Sequence, residues 1–151
     1  MTNLLSVEIA PAEKIVRAVK TPFHVKKARL KPALFRSTPG TDEVSVMRHD
    51  FMGTDRCRAK AKEIAADTYV GLAVLTVEEV AACGSTVVDS RDDNFLGHAH
   101  ISHGWIEQPD EPADAQTLLQ RDERRRALAE KARYYPDPDV SAPDWTGGAL
   151  A

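Results

Sequence analysis

The stretch YVGLAVLTVEEVAACGSTVVDS, residues 69–90, decides the fold class. Residues 69–75 are an unbroken apolar run of strand length, the composition of a strand covered on both sides. Thr76 with Glu79 three residues later forms a capping box, Val77, Val80 and Ala81 supply a buried stripe, and Gly84 stands where a helix commonly ends. STVVDS reads as the next strand. A strand, a short helix and a second strand in this order predict a right-handed parallel crossover, with a helix close to the shortest that can serve.

Outward from this unit, the chain alternates between strands and helices. Upstream, VSVMRHD, residues 44–50, places Val44, Val46 and Arg48 on one side of a strand and Ser45, Met47 and His49 on the other. TDRCRAKAKEIAA, starting with Thr54 as N-cap, reads as a helix with Cys57, Ala61, Ile64 and Ala65 inward and Arg56, Arg58, Lys60 and Lys62 toward solvent. Downstream, the polar turn RDDNFLG delivers the chain to HAHIS, residues 98–102. An acidic, proline-punctuated linker follows. Residues 113–133 then read as a helix whose RDERRR centre is so charged that it either crosses solvent or meets a partner.

The ends are less regular. PAEKIVRAVK, residues 11–20, has proline at a first-turn position and Ile15, Val16 and Val19 at helical spacing, so a short helix stopped by Pro22 is expected. Residues 21–43 read as an extended strap pinned by Phe23, Leu30, Leu34 and Phe35. Residues 134–151 read as a flexible tail with Tyr134, Tyr135 and Trp145 as anchors and Gly147-Gly148 as a flexible joint. The expected architecture is an α/β or α+β single domain. It has a three- to five-stranded mixed sheet, short flanking helices, an extended N-terminal strap and a C-terminal helix plus tail. The boundaries are a basic arm over 1–36, an α/β core over 37–108, a linker and charged helix over 109–133 and the tail over 134–151.

Composition agrees with one domain: 151 residues, 42% hydrophobic and 28% charged, are enough to bury a core without disulfide or metal support. Two cysteines make no disulfide framework, and Cys57 and Cys83 both fall in helical patterns, as reduced thiols of a cytosolic protein would. The first residues combine no basic leader with an apolar run, and no segment approaches the ~20 apolar residues that span a bilayer. No membrane partner is therefore expected. The net charge of −3 hides an asymmetry: residues 1–36 hold eight basic side chains against Glu8 and Glu13, so the rest of the chain carries −9. Such an arm either lies across its own acidic body or faces an acidic protein partner or nucleic acid. Within it, Lys26, Lys27, Arg29, Lys31 and Arg36 are interleaved with Phe23, His24 and Phe35, the mixture of charge and aromatic rings used on single strands.

The second candidate site is GHAHISHG, residues 97–104, which holds three of the five histidines. If Ala99 and Ile101 face the core, His98, His100 and Ser102 share the opposite face. Two imidazoles one strand repeat apart suit a divalent transition metal, with His103 as a third ligand, or a metal-free acid and base pair. Asp89, Asp92 and Asp93 precede the histidines and suit the role of orienting an imidazole, while Arg48, on a strand whose place relative to this one the sequence leaves open, suits a phosphate or carboxylate. Two functions follow. One is a small intracellular adaptor or accessory protein that binds partners through its basic arm. The other is a small hydrolase of phosphodiesterase or nuclease type, metal-dependent or histidine-driven, built on His98 and His100.

Overall fold

The computed structural model describes residues 6–106 and 114–151. It is an α+β domain built on one six-stranded sheet, with strands β1 (Lys14–Lys20), β4 (Glu43–Arg48), β5 (Tyr69–Thr76), β6 (Thr86–Asp89), β7 (His98–Ser102) and β8 (Arg133–Pro136). The order is β6-β7-β4-β1-β5-β8, every neighbouring pair is antiparallel, and a separate ribbon pairs β2 (Val25–Lys26) with β3 (Arg29–Leu30). The helices are α1 (His49–Ala65), α2 (Val77–Ala82) and α3 (Ala115–Lys131).

The expected strand, helix, strand unit is present as β5, α2 and β6, with the Thr76/Glu79 capping box formed and Gly84 at φ +96°. The expected pairing is not. β5 and β6 run in the same direction, but β1, β4 and β7 lie between them. The sheet is therefore antiparallel rather than mixed, and larger than five strands. Local pattern specifies an element, whereas its neighbours are chosen by which edges remain free.

The largest departure is at the N-terminus, where residues 14–20 form a strand near the middle of the sheet and not a helix in a detached arm. β1 pairs with β5 from Lys14↔Thr76 to Lys20↔Tyr69. Its β-branched residues suit a strand. Because the strand is covered on both faces, Ile15 and Val19 enter one core while Val16 and Ala18 enter the other. The resulting buried doublets, separated by Lys14, Arg17 and Lys20, imitate helical spacing. On the other side β1 pairs with β4 only at Ile15↔Arg48 and Val16↔Met47. Beyond these the Arg17 side chain takes over, donating 2.7 Å to the Ser45 carbonyl and 2.6 Å to that of Leu34.

Two cores result. One holds Ile15, Val44, Val46, Leu75, Val80, Ala99, Ile101 and Leu128 with Leu34 and Phe35, the buried part of the expected strap; Phe23 remains 60% exposed. The other lies under α1 and holds Val16, Met47, Cys57, Ala61, Leu72 and Val74. α1 begins at His49, five residues before the expected cap, and bends at Gly53, whose φ is +74°. Arg58, expected in solvent, is buried, and Ile64, expected inside, is 46% exposed.

The C-terminal residues, expected as a loose tail, complete this second core. β8 docks on β5 where Gly71 leaves room, since a Cβ there would overlap the Tyr135 carbonyl. Asp137 accepts hydrogen bonds from Arg58 Nε at 2.6 Å and the Tyr69 hydroxyl at 2.7 Å. Leu150 is buried, its carbonyl accepts from Lys14 Nζ at 2.9 Å, and Gly147 packs against the Trp145 ring, where a Cβ would lie 2.6 Å away. α3 buries Leu128 and Ala129 in its last turns, and Arg124 in its middle donates to the Ser85 hydroxyl and the His103 carbonyl, while Leu118 and Leu119 are more than half exposed. Among the described residues no helix is long and apolar enough to cross a membrane.

Candidate functional site

β7 alternates as its sequence requires. Ala99 and Ile101 are fully buried, and His98, His100 and Ser102 occupy the other face. β4 is its neighbour, with Ser45 opposite His100 and Met47 opposite His98, so Glu43, Ser45 and the two histidines lie on one face.

His98 has both ring nitrogens engaged. Nε2 lies 2.6 Å from Ser45 Oγ, while Nδ1 lies 3.1 Å from Ser90 Oγ and 3.2 Å from the Ser90 carbonyl. A carbonyl only accepts, so a proton on Nδ1 satisfies it, and the free pair on Nε2 then accepts from the Ser45 hydroxyl. Phe95 stacks on the ring, centroids 4.7 Å apart, and fixes its plane. His98 thus has both ring nitrogens on serines.

His100 is separate. Its Nε2 is 3.5 Å from Glu43 Oε1, and Asp42, Glu43 and His100 offer ligand atoms within 4.8 Å of one another. Asp42 already accepts the Ser102 hydroxyl, which holds its carboxyl below the usual range. A metal on Nε2 would leave the proton on Nδ1, and that atom is buried with no acceptor among the described residues. The carboxylate or carbonyl that normally supports a metal-bound imidazole is therefore missing.

Three other expected site residues lie elsewhere. His103 is buried in the opposite layer, with Nδ1 2.7 Å from Ser85 Oγ and Nε2 2.7 Å from the Phe35 carbonyl, and it stacks on Trp105. It does not join His98 and His100 as a ligand. Arg48 is on the face of Val44 and Val46, 1% exposed, held by Glu13 through both carboxylate oxygens at 2.7 and 2.8 Å and by Asp89 at 2.8 Å. Burial opposes its charge, but these bonds outweigh it and raise its pKa. Asp89, expected beside an imidazole, is instead shared between Arg48 and Arg91; burial is outweighed by these bonds and its carboxyl titrates below the usual range. Burial pushes the Cys57 thiol up to about 12 and raises that of Cys83, which disfavours the thiolate in both.

The basic segment 25–31 folds as the β2–β3 ribbon. Its two loop residues, Lys27 at φ +50° and Ala28 at φ +61°, both take left-handed backbone, as a two-residue hairpin loop demands, without the usual Asn-Gly that would announce it. Val25 and Leu30 pack on the first core, which leaves Lys26, Lys27 and Arg29 exposed and Lys31 half-buried, with Arg36 exposed beyond the turn over Pro32–Phe35. None of these five pairs with a carboxylate among the described residues. A groove of about 700 Å³ separates the ribbon from α3, with Arg29 on one wall, Arg126 and Glu130 on the other, and Tyr134 at its base. Farther along α3, Arg121 and Arg124 stand 5.4 and 5.2 Å from the centroid of Trp105.

Comparison with family models, with curated proteins and with solved structures matches none of them to this chain. The site residues that sequence reasoning missed are Ser45, Ser90 and Glu13. Alternation along VSVMR already set Ser45 apart from Arg48, but only the register of β4 on β7 brings it to His98.

Proposed function

We propose that the chain is a partner-binding protein whose β2–β3 hairpin takes a polyanion, single-stranded nucleic acid in particular. The observation behind this is the set of five cations without a carboxylate partner among the described residues, Lys26, Lys27, Arg29, Lys31 and Arg36, next to the 60% exposed ring of Phe23. Ammonium and guanidinium groups left in solvent by their own protein gain most from phosphates, whose condensed counterions they release. An exposed aromatic ring beside them gives a base a face to stack on, worth about 1–3 kcal/mol per base. The groove against α3 is lined by Arg29 from this surface and, on its other wall, by Glu130 and by Arg126, which is paired with Asp122. An acidic protein would use the charges but has less need of the ring.

Fluorescence anisotropy with a labelled oligothymidylate about as long as one small single-strand site, ~12 nucleotides, tests this reading. Lys26→Glu/Lys27→Glu/Arg29→Glu is expected to weaken binding at least about 30-fold and to flatten the dependence of log K on log salt by roughly 2 in slope. Phe23→Ala is expected to weaken binding about 10-fold with the salt slope unchanged. A wild-type protein that does not bind the oligomer at low salt would overturn the nucleic-acid reading. Removing residues 134–151 is no test of partner binding, because that segment forms an edge strand and part of a core.

A further inference from the structure

The opposite face of the sheet carries chemistry that polyanion binding does not use. Ser45, His98 and Ser90 form a linear relay: hydroxyl to Nε2 at 2.6 Å, then Nδ1 to the Ser90 carbonyl at 3.2 Å, with the Ser90 hydroxyl 3.1 Å from the same nitrogen. This is the arrangement in which a histidine activates a serine, with a third group fixing the tautomer. Here the third group is Ser90, whose carbonyl can also receive a hydrogen bond from the imidazolium. Ser45 opens onto a small cleft where β1 and β4 part. The cleft is lined by Ala18, Val46, Met47, Ile64 and Phe95, and its single charged wall is Arg17. Its volume is only about 30 Å³, which favours small acyl groups.

We propose that Ser45 is a nucleophile, His98 its general base and Ser90 a positioning residue, in a site that cleaves esters of small, uncharged acyl groups. Ser45 Oγ attacks the carbonyl carbon and gives its proton to His98 Nε2, forming the new C–O bond. Collapse of the tetrahedral species breaks the bond to the alcohol, which leaves with the proton from Nε2, and the acyl group stays on Ser45. Water then attacks this second ester and passes a proton to Nε2. The acid departs, and Ser45 recovers its hydrogen, so that ester and water become acid and alcohol. Arg17, anchored on the Ser45 and Leu34 carbonyls, adds positive charge to the wall of the cleft. Among the described residues no carboxylate stands behind His98, so turnover is slow, and with an activated ester such as p-nitrophenyl acetate acylation outpaces deacylation and the acyl-enzyme accumulates.

The test is covalent labelling with a small alkyl fluorophosphonate, located by peptide mass spectrometry, together with burst kinetics on p-nitrophenyl acetate. The expected result is label on Ser45 and on no other serine, with a burst of about one p-nitrophenol per chain. His98→Gln should slow labelling at least about 100-fold, the scale on which a positioned general base contributes. If that variant does not fold, Ser45→Cys decides the point, because a thiol paired with His98 should be alkylated by iodoacetamide at least about 10-fold faster than Cys83. Absence of label on Ser45, labelling unchanged in a folded His98→Gln, or a Ser45→Cys thiol no more reactive than Cys83 would overturn the proposal.

Discussion

Two sets of cations in this domain have opposite surroundings. Arg48 and Arg58 are 1% and 2% exposed and fully engaged, Arg48 by Glu13, Asp89 and the Ser6 carbonyl, Arg58 by Asp137 and the carbonyls of Asp139 and Val140. Lys26, Lys27 and Arg29 stand in solvent with no carboxylate among the described residues. The first set cannot lose a partner without leaving a charge in low dielectric, so it acts as a structural clamp. The second loses nothing in stability when altered and is free to meet something else. A charge count of the sequence mixes the two; burial and partners separate them.

The comparison can be broken most sharply at Arg48. Arg48→Met leaves Glu13 in the interior without its two charge-assisted bonds and Asp89 with Arg91 alone, and a loss of about 3–5 kcal/mol in urea unfolding is expected. Neutralising all three members, in Glu13→Gln/Arg48→Met/Asp89→Asn, should recover part of that loss. A single variant that costs less than about 1 kcal/mol would show that the clamp is not structural. Asp137→Asn should follow, losing a charge-assisted bond to Arg58 and weakening that to Tyr69, with a cost of about 2–3 kcal/mol and earlier proteolysis of the C-terminal segment as its sign.

A pH series reads a third consequence. His24 accepts the Lys20 backbone N–H through Nδ1 at 3.2 Å and must be neutral to do so. Burial first, and then the charges of Arg17, Lys20 and Lys31, push its pKa from 6.5 down to about 4. The unfolded chain takes up this proton at higher pH than the folded one. The contribution is therefore complete above about pH 6.5 and is lost as pH falls toward about 4. Asp89 and Asp137, both held below their ordinary 3.8, add their own loss only at still lower pH. Urea midpoints should decline from pH 6.5 to 4, and His24→Gln should reduce that decline, the remainder coming from His49, whose pKa burial also lowers. The smallest effect is expected at the hairpin. Lys26→Glu/Lys27→Glu/Arg29→Glu should change stability by no more than about 0.5 kcal/mol while weakening oligonucleotide binding at least about 30-fold. A larger drop would place the hairpin cations with the clamp.

Much of the molecule could be read one segment at a time. The apolar run of β5, the capping box of α2, the alternation in β4 and β7 and the amphipathic centre of α1 follow from period and cap chemistry, which act within a few residues. The shared face of His98, His100 and Ser102 belongs to the same class. Where reading failed, two-sided burial was the reason in one case: β1 is covered on both faces, so its apolar doublets copy a helix. At β2–β3 the failure was chemical, since Lys27 and Ala28 adopt left-handed backbone that their side chains do not favour.

Sequence by itself therefore determined which residues form most elements and which faces they bury, because those choices depend on local periodicity. Only the tertiary structure decided that β5 and β6 are kept apart, that β4 lies beside β7, that Arg48 closes on Glu13 and Asp89 and that Ser45 reaches His98. Each of these joins residues 35 to 53 positions apart or sets the order of strands across the sheet. Such contacts are fixed by competition among all the strands for edges and by the two cores for cover, and no single segment records that competition.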